Sequence, residues 1–197
     1  MTSPYAGLPI NEWASKTLAL IHQYPFSVNE LYNIVILAWQ DIFQSQIGSK
    51  PFRIGYDLFP PAQMMGYLLQ ELLALELVHR YAGVWRQGQR VTEKDLVYVA
   101  DDTFSIEVKS SSSVGRIYGN RSYAQHSNKT KKSKTGYYLA INFQKFPVSS
   151  ALPRITQVRF GWLDHEDWQG QTAATGQQAR LSPDVERNKL LPLPLEQ

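Results

Sequence analysis

Asp95, Glu107 and Lys109 are the residues of this 197-residue chain whose types and spacing could do chemistry together. Glu107-Val108-Lys109 lies in the run Phe104 to Lys109, which reads as a β-strand. Side chains alternate along a strand. Phe104, Ile106 and Val108 therefore share a face suited to a core, and Ser105, Glu107 and Lys109 share the other. An ionised pair at the edge of a core is costly unless it has partners. Asp95 stands just before a second apolar run, Leu96 to Val99, and Asp101-Asp102 between the two runs signals a hairpin. Residues opposed in an antiparallel pair share a face. A two-residue turn at Asp101-Asp102 would set Asp95 against Val108, on the wrong side. A three-residue loop or a bulge, the expected arrangement, would set Asp95 against Lys109 with Glu107 diagonal to it. Two carboxylates and a lysine at one point suit phosphodiester hydrolysis. The carboxylates repel each other and so favour a hard divalent cation such as magnesium. That cation can polarise a phosphate and acidify a water, and the lysine can stabilise charge growing at phosphorus.

Downstream, Arg116, Arg121, Lys129, Lys131, Lys132 and Lys134 follow one another with no Asp or Glu among them. In a protein of net charge +3 such a block is a candidate footprint for a polyanion; a solvated loop explains it equally well. Lys129, Lys131, Lys132 and Lys134 would hold flanking phosphates. Asn120, Arg121 and Gln125 have the chemistry to read purines in a major groove, and phosphate contacts or loop structure would account for each as readily. Asp101 and Asp102 read as turn formers, His126 as a surface residue, and Trp85, Trp162 and Trp168 as packing. Ser110 to Ser113 could line a channel or simply end the strand.

Three helices and a set of strands must position these groups. The first helix is expected from about Ile10 to Gln23, stopped by Pro25. The second starts at the capping-box pattern Ser27-Val28-Asn29-Glu30 and runs to near Gly48. Residues 51 to 60 read as irregular. Pro60-Pro61 opens a third helix that ends near Gly83. Leu96 to Val99, Phe104 to Lys109, Tyr137 to Phe143 and Ile155 to Trp162 read as strands, the last alternating Val158, Phe160 and Trp162 against Gln157, Arg159 and Gly161. A short helix is expected around residues 172 to 181, and the end, Leu190 to Leu195, reads as extended. Helices first and strands later indicate an α/β or α+β domain with a mixed sheet. The absence of cysteine excludes disulfides, thiolate nucleophiles and cysteine metal sites. No apolar stretch is long enough to span a membrane, and Met1 to Tyr5 lack the pattern of a signal peptide, so the cytoplasm is the expected location.

Asp95 followed eleven residues of spacer later by Glu107-Val108-Lys109 resembles the signature of the PD-(D/E)xK nuclease superfamily, with Lys94 where that signature usually has proline. The superfamily often adds a glutamate from the preceding helix. Glu71 and Glu76 both qualify by position, periodicity does not choose between them, and the resemblance favours Glu71. More closely, Glu71 to Glu76, Val84-Trp85-Arg86, Lys94 to Tyr98, Phe104 to Ser112, Gly119 to Tyr123, Arg159 to Leu163 and Thr175 to Leu181 resemble restriction endonucleases of the ScaI type. The resemblance implies a restriction-endonuclease-like α/β core, a mixed central sheet flanked by helices. It implies a homodimer that cuts double-stranded DNA at a short palindrome using magnesium, beside a cognate DNA methyltransferase that protects the host. Asp95, Glu107 and the Val108 carbonyl would hold the metal, Lys109 would position the water, and Glu71 would assist. One domain is expected: a helical part over 1–60, a catalytic core over 61–181 and an extended tail over 182–197. The competing readings are a structure-specific or repair nuclease on the same core, and a DNA-binding module whose site is silent.

Overall fold

The computed structural model describes residues 2–125, 132–147, 151–173 and 175–195. Its first helix, α1 (Ile10–His22), ends as the sequence predicts. In α2 (Val28–Gln44) the Ser27 hydroxyl caps the start, accepting from the Glu30 amide at 3.2 Å. The reciprocal half of the capping box is not made: the Glu30 carboxylate instead accepts from the Tyr81 hydroxyl at 3.0 Å, tying α2 to the end of the third helix. α2 stops at Gln44 rather than near Gly48, and a two-residue-per-strand hairpin follows, β1 (Gln46–Ile47) with β2 (Phe52–Arg53). After Pro61, α3 (Ala62–Arg80) runs for nineteen residues.

The strands are β3 (Trp85–Gln87), β4 (Leu96–Tyr98), β5 (Ile106–Ser111), β6 (Tyr118–Asn120), β7 (Gly136–Phe143), β8 (Ile155–Leu163), β9 (Trp168–Gly170) and β10 (Gln178–Leu181), followed by α4 (Pro183–Asn188) and β11 (Leu190–Leu193). Six of them form one mixed sheet in the order β11-β8-β7-β5-β4-β3. Only the β5–β7 pair is parallel. All eight residues of β7 are buried, as expected of a strand covered on both faces, whose sequence is then a near-continuous apolar run.

The two faces of β7 enter different cores. Tyr137, Leu139, Ile141 and Phe143 pack with Leu31, Ile34 and Val35 of α2 and Leu69 and Leu73 of α3. Tyr138 and Ala140 pack with Ile117, Trp168, Ala179, Leu181 and Val185. That second layer is a small sheet, β6-β10-β9. The helix expected around residues 172–181 is not formed. Residues 178–181 are strand β10, in which Ala179 and Leu181 are buried while Gln178 and Arg180 are exposed, a period of two rather than 3.6. The helix lies one step later, where Ser182 caps it by accepting from the Val185 amide at 3.3 Å and Pro183 occupies its first turn. The final segment completes the sheet edge: Leu193 pairs with Val158 and Leu190 with Gly161. Pro192 is tolerated there because an edge strand has no ladder partner on one side.

Candidate active site

Asp95 immediately precedes β4, and β4 meets β5 through Leu96 opposite Ile106. Continuing that register sets Asp95 across from Glu107, two residues away from the expected opposition to Lys109. The cause lies in the connection, which is longer than a three-residue loop. Residues 99–105 contain a 3-10 turn, Asp102–Phe104, whose first amide hydrogen bond is supplied by the Asp101 carboxylate accepting from Thr103 at 2.9 Å. A shift of two residues preserves side-chain parity. Asp95 therefore still reaches the face that carries Glu107.

The carboxylates are held from several sides. Asp95 Oδ2 accepts from the Val108 amide at 2.8 Å, and its Oδ1 takes the Lys132 ammonium at 2.8 Å. Glu107, whose side chain is 2% exposed, receives Lys109 Nζ on Oε1 at 2.5 Å, and the Tyr123 hydroxyl donates to the same oxygen. Its Oε2 faces Lys132 Nζ at 3.0 Å, yet that contact lacks hydrogen-bond geometry, so among the described residues this buried oxygen makes no hydrogen bond. Lys109 Nζ also donates to the Val108 carbonyl at 3.2 Å and sits 4.6 Å above the Tyr123 ring. Lys94 is buried beneath the site. Its ammonium lies 4.9 Å over the Tyr138 ring and has no hydrogen-bond partner among the described residues. Gly136 leaves room for it, since a Cβ at that position would lie 3.0 Å from Lys94 Nζ.

Charge sets the protonation states. Burial pushes the Glu107 carboxyl up, but Lys109, Lys132 and Lys94 together outweigh it and hold the group down at about 2. Burial pulls the Lys94 ammonium down to about 8 against the attraction of Glu107. For Lys109 burial works in the same downward direction, but Glu107 and Asp95 prevail and its ammonium is held above the ordinary lysine range. Burial and the Glu107 charge raise the Tyr123 phenol far above its usual value, so it stays a donor.

Glu71, on α3, accepts from the Gln87 amide at 2.9 Å and lines a cavity of about 410 Å³ together with Asp95 and Lys132. Glu76 instead pairs with Arg80 one turn further along the helix. Among the described residues no group of three or more His, Cys, Asp or Glu side chains is gathered at one point. The convergent set is two carboxylates and, through Lys109, the Val108 carbonyl. Those are hard oxygen donors, and the buried Glu107 Oε2 without a hydrogen bond is the kind of atom a cation would satisfy. These oxygen donors fit a hard divalent cation.

Residues 3–194 match the ScaI restriction endonuclease family. This chain belongs to that family. It is 43% identical over 191 residues to the type II restriction enzyme ScaI of Streptomyces caespitosus, an overlap that covers 96% of this chain and 83% of that enzyme. Its activity class is accordingly that of a site-specific restriction endonuclease.

In this ScaI-family chain the basic block is not one uniform surface. Lys132 lies inside the carboxylate cluster. Lys134 is buried and donates to the Gln125 carbonyl at 3.0 Å, with the Tyr123 ring 5.6 Å away. The Gln125 carbonyl also meets His165 Nε2 at 2.6 Å, and the residue itself is exposed. Arg121 turns to the loop carbonyls of Gly176 and Ala173, at 3.2 and 3.4 Å. Asn120 is exposed on β6, opposite Gln178. Lys129, Lys131 and His126 lie outside the described residues. Sequence reasoning missed Tyr123, Gln87 and Lys94 as parts of the site. Nothing local marks Tyr123 or Gln87, which meet their carboxylates only through the fold; Lys94 adjoins Asp95, but its burial depends on Gly136 of a distant strand.

Proposed function

We propose that this ScaI-family enzyme is a PD-(D/E)xK nuclease that hydrolyses double-stranded DNA at a short palindromic site with magnesium. The observation that supports it is the convergence of Asp95 Oδ1 and Glu107 Oε2 on one cation, Lys132 Nζ, at 2.8 and 3.0 Å. Asp95, Glu107 and the Val108 carbonyl would hold the metal. When bound, it supplies charge that polarises the phosphate and lowers the pKa of a water. Lys109, already fixed between Glu107 and the Val108 carbonyl, orients that water and offsets negative charge growing at phosphorus. Tyr123 fixes the Glu107 rotamer, and Glu71 assists from the cavity that Asp95 and Lys132 also line. Lys132 balances the charge of both carboxylates. Asn120 and Gln125, both exposed, are the base-reading candidates of this reading, and Lys129 and Lys131 of the basic block are its candidate phosphate contacts; Lys132 serves the carboxylates, while Arg121 and Lys134 bind backbone carbonyls and act by positioning.

Cutting both strands of a palindrome requires two sites related by a two-fold axis, hence a homodimer. Six large apolar side chains stay exposed between Ile47 and Met64, among them Phe52, Tyr56 and Phe59, and this surface is the proposed dimer contact. No helix among the described residues is long and apolar enough to cross a membrane. A cytoplasmic enzyme working beside a protective methyltransferase completes the reading. The test is a digest of a sequenced plasmid in magnesium with the parent, Glu107→Ala and Lys109→Ala. Discrete fragments from the parent alone are expected. A smear or nicking would indicate a structure-specific nuclease, and binding without cleavage in magnesium and manganese would indicate a silent module.

A further inference from the structure

A groove of about 510 Å³ runs between the first half of α3 and the far end of β5. Gln63, Tyr67 and Gln70 line it at positions i, i+4 and i+7 of α3, one face of the helix. Ser110 and Ser111 of β5 form its floor, and Gln178 of β10 closes it. Gln70 also lines the cavity that holds Glu71, Asp95 and Lys132, so the groove adjoins that cleft. None of its lining residues is charged, in contrast to that cleft. Among the described residues, the side-chain amides of Gln63, Gln70 and Gln178 make no hydrogen bond. Tyr67 is 64% exposed. Gly66 sets the closeness of helix and floor, since a Cβ there would lie 2.5 Å from the Ser110 hydroxyl.

Phosphates attract cations, whereas neutral groups that both donate and accept match base edges; a glutamine amide pairs in this way with N6 and N7 of adenine. A groove next to the proposed cutting site that is lined by side-chain amides and hydroxyls, without a lysine or arginine, has the composition of a base reader. Resting on the DNA-cleaving reading above, we infer that this groove reads sequence, with Gln63, Gln70 and Gln178 as specificity-determining contacts to A·T pairs. Its distance from the chemistry follows from β5. Ser110 and Ser111 lie three and four residues past Glu107, about 10–13 Å at ~3.3 Å per residue.

The experiment uses the cognate duplex mapped by the plasmid digest and duplexes changed at one base pair each. For Gln63→Ala, Gln70→Ala and Gln178→Ala, kcat/KM on the cognate duplex is expected to fall about 5- to 150-fold, with discrimination lost at one position. The salt dependence should stay as in the parent. A second arm leaves the protein intact: 7-deazaadenine at that position, which removes N7, should slow the parent by a similar factor and the matching variant no further. Equal loss on every duplex with a shallower salt slope would assign the groove to phosphates and overturn the inference. Unchanged discrimination in all three variants would overturn it too. A parent protein that cuts no duplex in magnesium or manganese would instead refute the nuclease reading itself.

Discussion

Lys132 and Glu107 come from segments far apart in the chain, and their contact can be measured by removing each alone and then both. Lys132 Nζ stands 3.0 Å from Glu107 Oε2 and 2.8 Å from Asp95 Oδ1. With an effective dielectric of about 20, an ion pair at 3 Å is worth roughly 5–6 kcal/mol, before a desolvation cost of several kcal/mol per ion. Glu107→Gln leaves Lys109, Lys132 and the buried Lys94 around a neutral amide, a loss of roughly 3–5 kcal/mol typical of a broken buried pair. Lys132→Met costs less, about 1–2 kcal/mol, because Glu107 keeps Lys109 and Tyr123. The double variant should be better than the sum by about 1–3 kcal/mol, since each change removes the charge the other left uncompensated. The assay is urea denaturation at pH 7 with a chelator present, followed by circular dichroism, for all four proteins. Additivity within about 0.5 kcal/mol would refute the direct pairing. A Glu107→Gln protein as stable as its parent would refute the claim that the carboxylate is what holds these lysines in place.

Two other substitutions test the frame around the site. Lys189 Nζ is 2.8 Å from Asp167 Oδ1 and 3.2 Å from Asp164 Oδ2, stacked over Tyr5 and Trp13, and Lys189→Met should cost roughly 3–5 kcal/mol at pH 7. Burial already raises the Asp167 carboxyl against the pull of Lys189, and loss of the lysine raises it further. A raised acid contributes stability that is present below the ordinary carboxylate range and lost as pH rises, so melts should show a smaller deficit at pH 4 than at pH 7; equal deficits would contradict this. In Gly88→Ala the new Cβ would lie 2.1 Å from the Lys94 carbonyl, and Gly88 N now donates to the Asp95 carbonyl at 3.0 Å. The strand connection must open and carry Asp95 with it, so single-turnover cleavage should drop about 100-fold while duplex binding persists; undiminished cleavage would show that Asp95 tolerates the shift.

Much of this fold is written in local pattern. The limits of α1, the Ser27 cap, the alternation of β8 and the apolar run of β7 each follow from a few adjacent residues. So does the placement of Glu107 and Lys109 on one face of β5, because strand parity needs no knowledge of the partner. What depends on a neighbour was less legible. The register of Asp95 is set by a 3-10 turn that Asp101 stabilises, and two short apolar runs around Asp-Asp are equally compatible with a tighter connection. Gln178 to Leu181 is too short to distinguish periods of two and 3.6, and becomes a strand because β6 and β9 flank it. Lys132 reads as one cation in a basic run; only tertiary structure, over 37 residues of separation, sets it between the carboxylates.

The arrangement on β5 bears on how an enzyme of this family couples reading to cutting. Glu107, Val108 and Lys109 carry the proposed chemistry, and Ser110 and Ser111 carry the floor of the proposed reading groove, all within the six residues of one strand. That strand is interior to the sheet, paired with β4 on one side and, over its whole length, with β7 on the other. Its pairing fixes the span from Glu107 and Lys109 to the floor on which the reading glutamines of α3 and β10 close, whereas a loop would let that span vary with the bound DNA. A duplex with the wrong base at the groove cannot be accommodated by sliding the floor alone, because the same displacement would carry Glu107 and Lys109 away from the phosphate. Since misplacement of about 1 Å can cost on the order of a hundredfold in rate, a rigid shared strand converts a poor fit at the bases into a failure to cut.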